Sequence, residues 1–484
     1  MFAGIDLGST NTKCSLYSND LKLLASAATP IRYSGEGGIV EFDGEQYVAE
    51  LTELIGKARE MAGGGEIDAI AFTGQAESLV VLGKDGKPLC PVMSWMDTRS
   101  EQEVAEISAA FDPKLVEKLT GQTAVTSSWP ASKILWLSRH EEKLFAAADK
   151  YLMLKDYVVY ALTGKLLGDM SIATFTGYFD IYGKKYWPEM MSFCGIRADQ
   201  LPELAEPLTV AGPMKAELCK KLGLAKAPLI NVGTLDHFAG MIGTGNLTSG
   251  QVTLSTGTVM ALAVRCQEPV DRNSGIATHY GFVPDSYVML AVAESGGVSL
   301  EWFRKTCMGT MGYGEMNEAL KDHGEDELLF LPYLVGANAP EFDPRATGVF
   351  YGLSSSVKTE EMAHAVMEGV SFVLRKNCEA MAAKGTVPSS IIATGGGSKS
   401  PIWCQLQADI TGLPVRVPQE PDAAVLGAAM IAAVSAGRFA SLEAAAKDCV
   451  AMKAEYLPGR KEYFDRKYKK FTALYEACLA IKDI

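Results

Sequence analysis

Asp6-Leu7-Gly8-Ser9-Thr10-Asn11-Thr12-Lys13 continues an apolar run that begins at Phe2, and a second apolar run, Cys14 to Tyr17, follows it. The pattern predicts two strands joined by a turn of glycine and small hydroxyl residues. Glycine admits positive φ and lets backbone approach a ligand closely. Successive N–H groups at such a turn make a partly positive nest for phosphate oxygens. Neither G-x-x-x-x-G-K-[ST] nor G-x-G-x-x-G is present here, which argues against a P-loop and a dinucleotide-binding opening. A carboxylate beside a phosphate nest repels the nucleotide unless a divalent cation lies between them, so Asp6 is expected to position hydrated magnesium. Taken alone, the turn also fits an ordinary hairpin. A related stretch, Thr253-Leu-Ser-Thr-Gly257-Thr258, recurs in the second half and again leads into apolar residues. Two such turns predict two lobes holding one nucleotide.

Composition narrows the partners. At 484 residues the chain has room for several domains or two large α/β lobes. Its 48% apolar and 21% charged residues are ordinary for a globular protein with a substantial core. The formal net charge of −13 disfavours nucleic acid and anionic membrane as partners. Ten cysteines lie scattered without CxxC pairs or matching histidine clusters, which indicates neither a zinc framework nor disulfides and fits a reducing cytoplasm. No basic, long apolar leader is present, and the alanine-rich stretch 423–436 is too short to span a bilayer and reads as a packed helix.

Strand patterns at 2–7, 14–17, 67–72, 79–82 and 230–232 alternate with a helical pattern at 46–61, predicting an α/β fold with helices on the sheet faces. Residues 99–168 read as mainly helical, an insertion on the first lobe. Small polar residues at 246–249 place the boundary between a first lobe, 1–248, and a second, 249–484, that ends in a charged helical tail.

Two longer stretches are distinctive: Ser128-Trp-Pro-Ala-Ser-Lys133-Ile-Leu-Trp136-Leu-Ser-Arg-His140, and Gly348-Val-Phe-Tyr-Gly352-Leu353 continuing to Glu361-Met-Ala-His-Ala-Val-Met-Glu368. With the Asp6 turn, the Asp236 loop, Thr256-Gly257-Thr258 and Gly395-Gly396-Gly397-Ser398 they stand in register along the whole chain. On these residues the chain resembles the FGGY carbohydrate kinases. The resemblance implies two actin-like, ribonuclease H-like ATPase lobes around a central cleft, the first sugar-binding and the second nucleotide-binding. It further implies ATP and Mg2+ as phosphoryl donor and cofactor, a small sugar or polyol as acceptor, and a homodimer.

Phosphoryl transfer needs an in-line hydroxyl, charge neutralisation and a group that accepts the hydroxyl proton. Asp236 follows a short apolar strand and precedes small residues that suit a helix start, so its carboxylate belongs at a strand's C-terminal end, where ligands of open α/β sheets bind. Aspartate there also suits a helix N-cap; the resemblance assigns it the role of base. Thr10, Thr12, Lys13, Gly257 and Thr258 are expected at the phosphates, with Lys13 either a point-charge donor or a solvated lysine. Gly395, Gly396, Gly397 and Ser398 are expected beside the adenosine, and the stretch 405–409 near the adenine.

Gln75, Glu77, Trp95, Asp97 and His237 are the substrate-side candidates, because amides and carboxylates suit vicinal hydroxyls and an indole face suits sugar C–H groups. Asp97 with Arg99 also fits a structural ion pair, and Asp156 reads as structural. Xylulokinases of the family carry Met-His-Gly, and glycerol kinases Arg-Glu-Thr, where this chain has Ala76-Glu77-Ser78. That loop matches neither group, while overall length and the Trp95-Met96-Asp97 loop are compatible with a ketopentose kinase, so a ketopentose such as xylulose is the preferred acceptor, with glycerol, a tetritol or another polyol as the alternative. An ATPase switch or sugar sensor on the same fold is the reading from another class.

Overall fold

Phe2–Leu7 and Asn11–Tyr17 pair antiparallel, with Asp6 opposite Lys13 and Leu7 opposite Thr12, so Gly8, Ser9 and Thr10 form the turn. The computed structural model describes residues 1–268, 276–321, 323–420 and 422–482. Phe2–Leu7 also pairs in parallel with Ala69–Gly74, which pairs in parallel with Leu229–Asn231. Val210–Pro213 lies beyond Leu229–Asn231, and Leu23–Pro30 beyond Asn11–Tyr17, completing the six-stranded sheet. All residues of Ala69–Gly74 are buried, as a strand covered on both faces requires. Helix Gly44–Met61 supplies part of that cover through Tyr47, Leu51, Leu54 and Ile55, and Asp43 caps it by accepting from the Gln46 N–H at 2.9 Å.

The insertion is helical at Glu101–Ala110, Pro113–Thr120, Pro130–His140, Glu142–Ala147 and Leu154–Thr163. A strand, Lys150–Met153, interrupts it and pairs antiparallel with Leu79–Leu82. Its few apolar residues run directly into a helix, so no separate periodicity marks it in the sequence.

Two units emerge, and the chain leaves the first at Leu247 and enters the second at Thr248. The first unit also takes back Ala277–Val288 and Asp422–Val450. The reason for the second return is backbone packing of helix Ala423–Ser435. A Cβ at Gly4 would lie 2.2 Å from the Val425 carbonyl oxygen, one at Gly243 1.8 Å from that of Ala423, and one at Gly427 1.9 Å from that of Ala239. The stretch is legible as a buried helix, but alanine content does not say which sheet it covers.

In the second unit Gln251–Thr256 pairs antiparallel with Met260–Cys266 and in parallel with Ser390–Gly395. Val415–Pro418 and Met452–Tyr456 follow in the same sheet. A hairpin with a parallel third strand thus opens both units. Helices Thr359–Ala383, Pro401–Thr411 and Lys461–Lys482 belong to this unit. Among the described residues, no helix is long and apolar enough to cross a membrane.

Candidate active site

The parallel strands of the first unit end together at Leu7, Gly74 and Asn231, and the loops after them carry the acidic and amide groups. Strand pairing puts Asp6 and Lys13 side by side. Lys13 Nζ donates to both carboxylate oxygens of Asp422 at 3.1 Å. Asp6 Oδ1 is buried without a hydrogen-bond partner. Burial first, then the neighbouring Asp236 and Asp422 carboxylates, push the Asp6 carboxyl up to about 7, against the opposing pull of Lys13. An orphaned carboxylate oxygen in an acidic cluster fits a divalent cation. Thr10 is exposed at the turn. Thr12 is not at the phosphate side: one residue from Lys13 on a strand, it points to the opposite face, is 2% exposed, and donates to Tyr47 Oη at 2.9 Å.

Asp236 opens helix Asp236–Gly243, and its Oδ1 accepts from the His237 N–H at 2.6 Å. Its carboxylate remains partly exposed, and a negative charge suits a helix N-terminus. The loop before it depends on Gly233, with φ of 73° and space for no Cβ, since one would sit 1.6 Å from the Phe72 carbonyl oxygen. A buried chain of bonds holds this loop from below. Lys155 Nζ donates to Asp169 Oδ2 at 2.6 Å and to the Val232 carbonyl at 2.5 Å. Ser171 Oγ donates to Asp169 Oδ2 at 2.7 Å and lies 2.8 Å from Thr234 Oγ1. Asp156 packs beside this network, its carboxyl pushed up to about 7 by burial. Lys155→Met is expected to destabilise the protein by about 3–5 kcal/mol, because it strands the Asp169 carboxylate in the core. Urea denaturation checks this, and a loss near zero would show that the network is not what supports the loop.

Gln75 is buried, its Oε1 accepting from Ser78 Oγ at 2.7 Å and its Nε2 3.4 Å from the Gly8 carbonyl. Glu77 sits at φ of 67°, a conformation that non-glycine residues seldom adopt. Its Oε1 accepts from Ser128 Oγ at 2.7 Å, and its carbonyl accepts from Lys133 Nζ at 2.9 Å. The same ammonium donates to the Ser94 carbonyl at 2.7 Å, tying the two loops together. Burial raises the Glu77 carboxyl and lowers the Lys133 ammonium, each only partly offset by the other's charge. The part played by Ser128 and Lys133 was not evident from the sequence; a lone lysine on the apolar face of helix Pro130–His140 was the available signal.

Trp95 is 39% exposed, while Asp97 is 0% exposed. Asp97 spends both oxygens on Arg99 and on the Val40 N–H at 2.8 Å, which corrects its assignment as a substrate contact to that of a brace within the loop. His237, beside Asp236, is half-buried. His279 faces Phe175 with ring centroids 4.5 Å apart, and burial, then nearby His237, pushes its imidazole down to about 3.

In the second unit a cavity of about 620 Å³ is lined by Gly257, Thr258, Gly396, Gly397, Asn317 and Trp403 among others. The Gly297 and Val298 N–H groups donate to the Gly257 and Thr258 carbonyls at 2.8 and 3.0 Å, fixing the turn against helix Gly297–Cys307. Gly395 and Ser398 shape the loop rather than line the cavity. Gly395 has φ of 75°, and a Cβ there would lie 2.8 Å from the Thr256 carbonyl oxygen. Ser398 Oγ donates to the Gly395 carbonyl at 2.8 Å. Gln405 bonds Asp409 and the Leu457 carbonyl, so the stretch 405–409 serves the C-terminal segment and not the cavity. Tyr313, Met316 and Asn317 also line it, from a helix that carries no motif.

The fold is that of the actin-like ATPase sugar kinases: the ligand-bound xylulose kinase from Lactobacillus acidophilus superposes with a TM-score of 0.90 at 27% identity, over 99% of this chain and 98% of that one. Such a fold, with its acidic site and nucleotide-sized cavity, defines an ATP-dependent carbohydrate kinase. The FGGY family of carbohydrate kinases, N-terminal domain, matches residues 1–243, and the family's C-terminal domain matches residues 252–436. The chain belongs to the FGGY family of carbohydrate kinases. A xylulose kinase of Bacillus subtilis (strain 168) is 29% identical over 484 residues, 98% of this chain and 95% of its own. A gluconokinase of the same organism is 27% identical over 456 residues, 91% of this chain and 88% of its own.

Proposed function

We propose that this kinase transfers the terminal phosphoryl group of ATP to a primary hydroxyl of an open-chain ketopentose such as xylulose. The observation that carries the phosphoryl-transfer reading is the pair of Asp236 and Asp6. One carboxylate is partly exposed at a helix start, and it lies close enough to the other to raise its pKa. The similarity of the whole chain to xylulose kinases supports the ketopentose.

In this reading Asp236 accepts the proton of the attacking hydroxyl, and the bond from His237 N–H orients its carboxylate. Asp6 would hold magnesium, whose charge would offset that of the phosphate oxygens. Lys13 stays paired with Asp422 or turns its ammonium to phosphate. Thr258 presents its hydroxyl to the nucleotide, Gly257 holds the turn by donating its N–H to the Val259 carbonyl at 3.0 Å, and Gly396 and Gly397 leave room for the adenosine. Gln75, Glu77, Trp95 and His237 receive the sugar. A net charge of −13 disfavours nucleic acid and anionic membrane as partners and supports a cytoplasmic enzyme.

Glu77 favours a second acceptor, since glutamate at this place resembles the glycerol kinase pattern, although Ala76 stands where that pattern has arginine. The deciding experiment offers xylulose, ribulose, glycerol, erythritol and gluconate with ATP and magnesium, and identifies the phosphorylated product by mass. Xylulose is expected to give the highest kcat/KM. Preference for glycerol or erythritol would move the assignment to a polyol, and ADP release without any phosphorylated sugar would overturn it.

A further inference from the structure

Far along the chain from the Asp6 and Asp236 loops, in the second unit, helix Thr359–Ala383 carries His364 and Glu368 one turn apart. Two other segments bring side chains to them. His323, in the segment after helix Tyr313–Leu320, faces His364 with ring centroids 4.1 Å apart. Its Nε2 lies 2.7 Å from Asp326 Oδ2. His364 Nδ1 is 3.3 Å from Glu368 Oε1 and 4.0 Å from Asp326 Oδ2. From helix Lys461–Lys482, Lys467 Nζ donates to the other oxygen of each carboxylate, at 2.8 Å to Asp326 Oδ1 and in a short contact to Glu368 Oε2.

This cluster does not close as a hydrogen-bonded core. His364 Nδ1 and Glu368 Oε1 are buried, and neither has a hydrogen-bond partner. A buried polar group left without a partner is costly. His364, Glu368 and Lys467 side chains are each no more than 3% exposed, so bulk water does not relieve them. Two carboxylates also share one ammonium. The donor atoms of His323, Asp326 and His364 all lie within 4.8 Å of one another.

We propose that His323, Asp326 and His364, with Glu368 beside His364, form a binding site for one divalent transition metal ion of the zinc class. Bonds of about 2.0–2.1 Å to a tetrahedral ion put neighbouring donors roughly 3.3 Å apart. His364 Nδ1 and Glu368 Oε1 stand at 3.3 Å already. His323 closes on Asp326 at 2.7 Å and opens by the small remainder, which its position outside any helix allows. Two imidazoles select zinc over magnesium or calcium, whose preferred donors are oxygen. Lys467 grips the oxygens that face away from the ion and so orients both carboxylates, the usual task of the groups around metal ligands. The rival occupant is a proton, held on one of the two imidazoles.

The ion would staple walls of the nucleotide cavity, because Met367 precedes Glu368 and helix Tyr313–Leu320 precedes His323. The sequence hides the site: its histidines stand at 323 and 364, and only the short pairs His323 with Asp326 and His364 with Glu368 are local.

The full-length protein, stripped with a chelator, is dialysed against zinc or cobalt in the presence of excess magnesium, and the retained metal is measured by atomic emission. Stoichiometric zinc, a cobalt visible spectrum of tetrahedral intensity, and a zinc-dependent rise in Tm are expected. His364→Asn and His323→Asn should each lower zinc affinity by at least about 100-fold and lose the Tm rise, with far-UV circular dichroism unchanged. His323→Asn guards against misfolding, since His323 lies outside the helix. Failure of the wild type to retain zinc, unchanged affinity in both variants, or cobalt bands of thiolate origin would each overturn the proposal and leave the proton as occupant.

Discussion

Asp236→Asn is expected to lower kcat for sugar phosphorylation by about 10²–10⁴-fold, the range that general-base assistance supplies. The amide keeps the shape and can still accept from the His237 N–H, which meets the carboxylate at 2.6 Å in the native protein. What it loses is the ability to take a proton from the attacking hydroxyl. ATP affinity should stay close to that of the native enzyme, because the cavity proposed for the nucleotide is lined by residues of the second unit. Single-turnover kinetics with a nucleotide-binding titration separates the two quantities. A variant with near-native kcat would remove Asp236 from the role of base, whatever its position.

Asp6→Asn should act in opposite directions on stability and on activity. The Asp6 carboxyl is pushed up to about 7 in the folded protein, mainly by burial and then by Asp236 and Asp422, whereas an unfolded aspartate titrates near 3.9. Between these values the unfolded chain has already released its proton and the folded one has not, so wild-type stability falls as pH rises and levels off above about 7. Asparagine carries no such penalty. In magnesium-free buffer the variant should therefore be more stable than wild type by on the order of 2–4 kcal/mol above pH 8, with the gap vanishing below pH 4. Its kcat should fall by about 10²–10⁴-fold, as loss of several kcal/mol of charge stabilisation implies. Chemical denaturation across pH, without and with magnesium and ATP, tests both halves. An equal gap at every pH would mean that Asp6 does not titrate as its surroundings require.

The elements that decide the fold were legible because they are local. The Asp6 turn, the strand 79–82 and the loop after Gly395 each place an apolar run directly beside a glycine. The face a residue presents was legible only in part. Thr12 and Lys13 are adjacent hydroxyl and ammonium groups on one strand, and strand alternation sends Thr12 to Tyr47 and Lys13 to Asp422. The competition for Asp97 was likewise settled in space, where Arg99 and Val40 together claim its oxygens. Cavity residues such as Asn317 and Trp403 were illegible, since they gather from separate helices without a shared pattern.

The return of Asp422–Val450 to the first unit also sets an order on biosynthesis. Helix Ala423–Ser435 lies against Gly4 and the helix that begins at Asp236, with bare backbone meeting bare backbone. Until the ribosome has made that helix, the nascent amino-terminal half lacks part of its own cover and carries an open apolar surface. Nearly the whole polypeptide must therefore emerge before its earliest-made strands are sealed, and a translation arrest short of residue 422 leaves a product suited to chaperone capture rather than to independent folding.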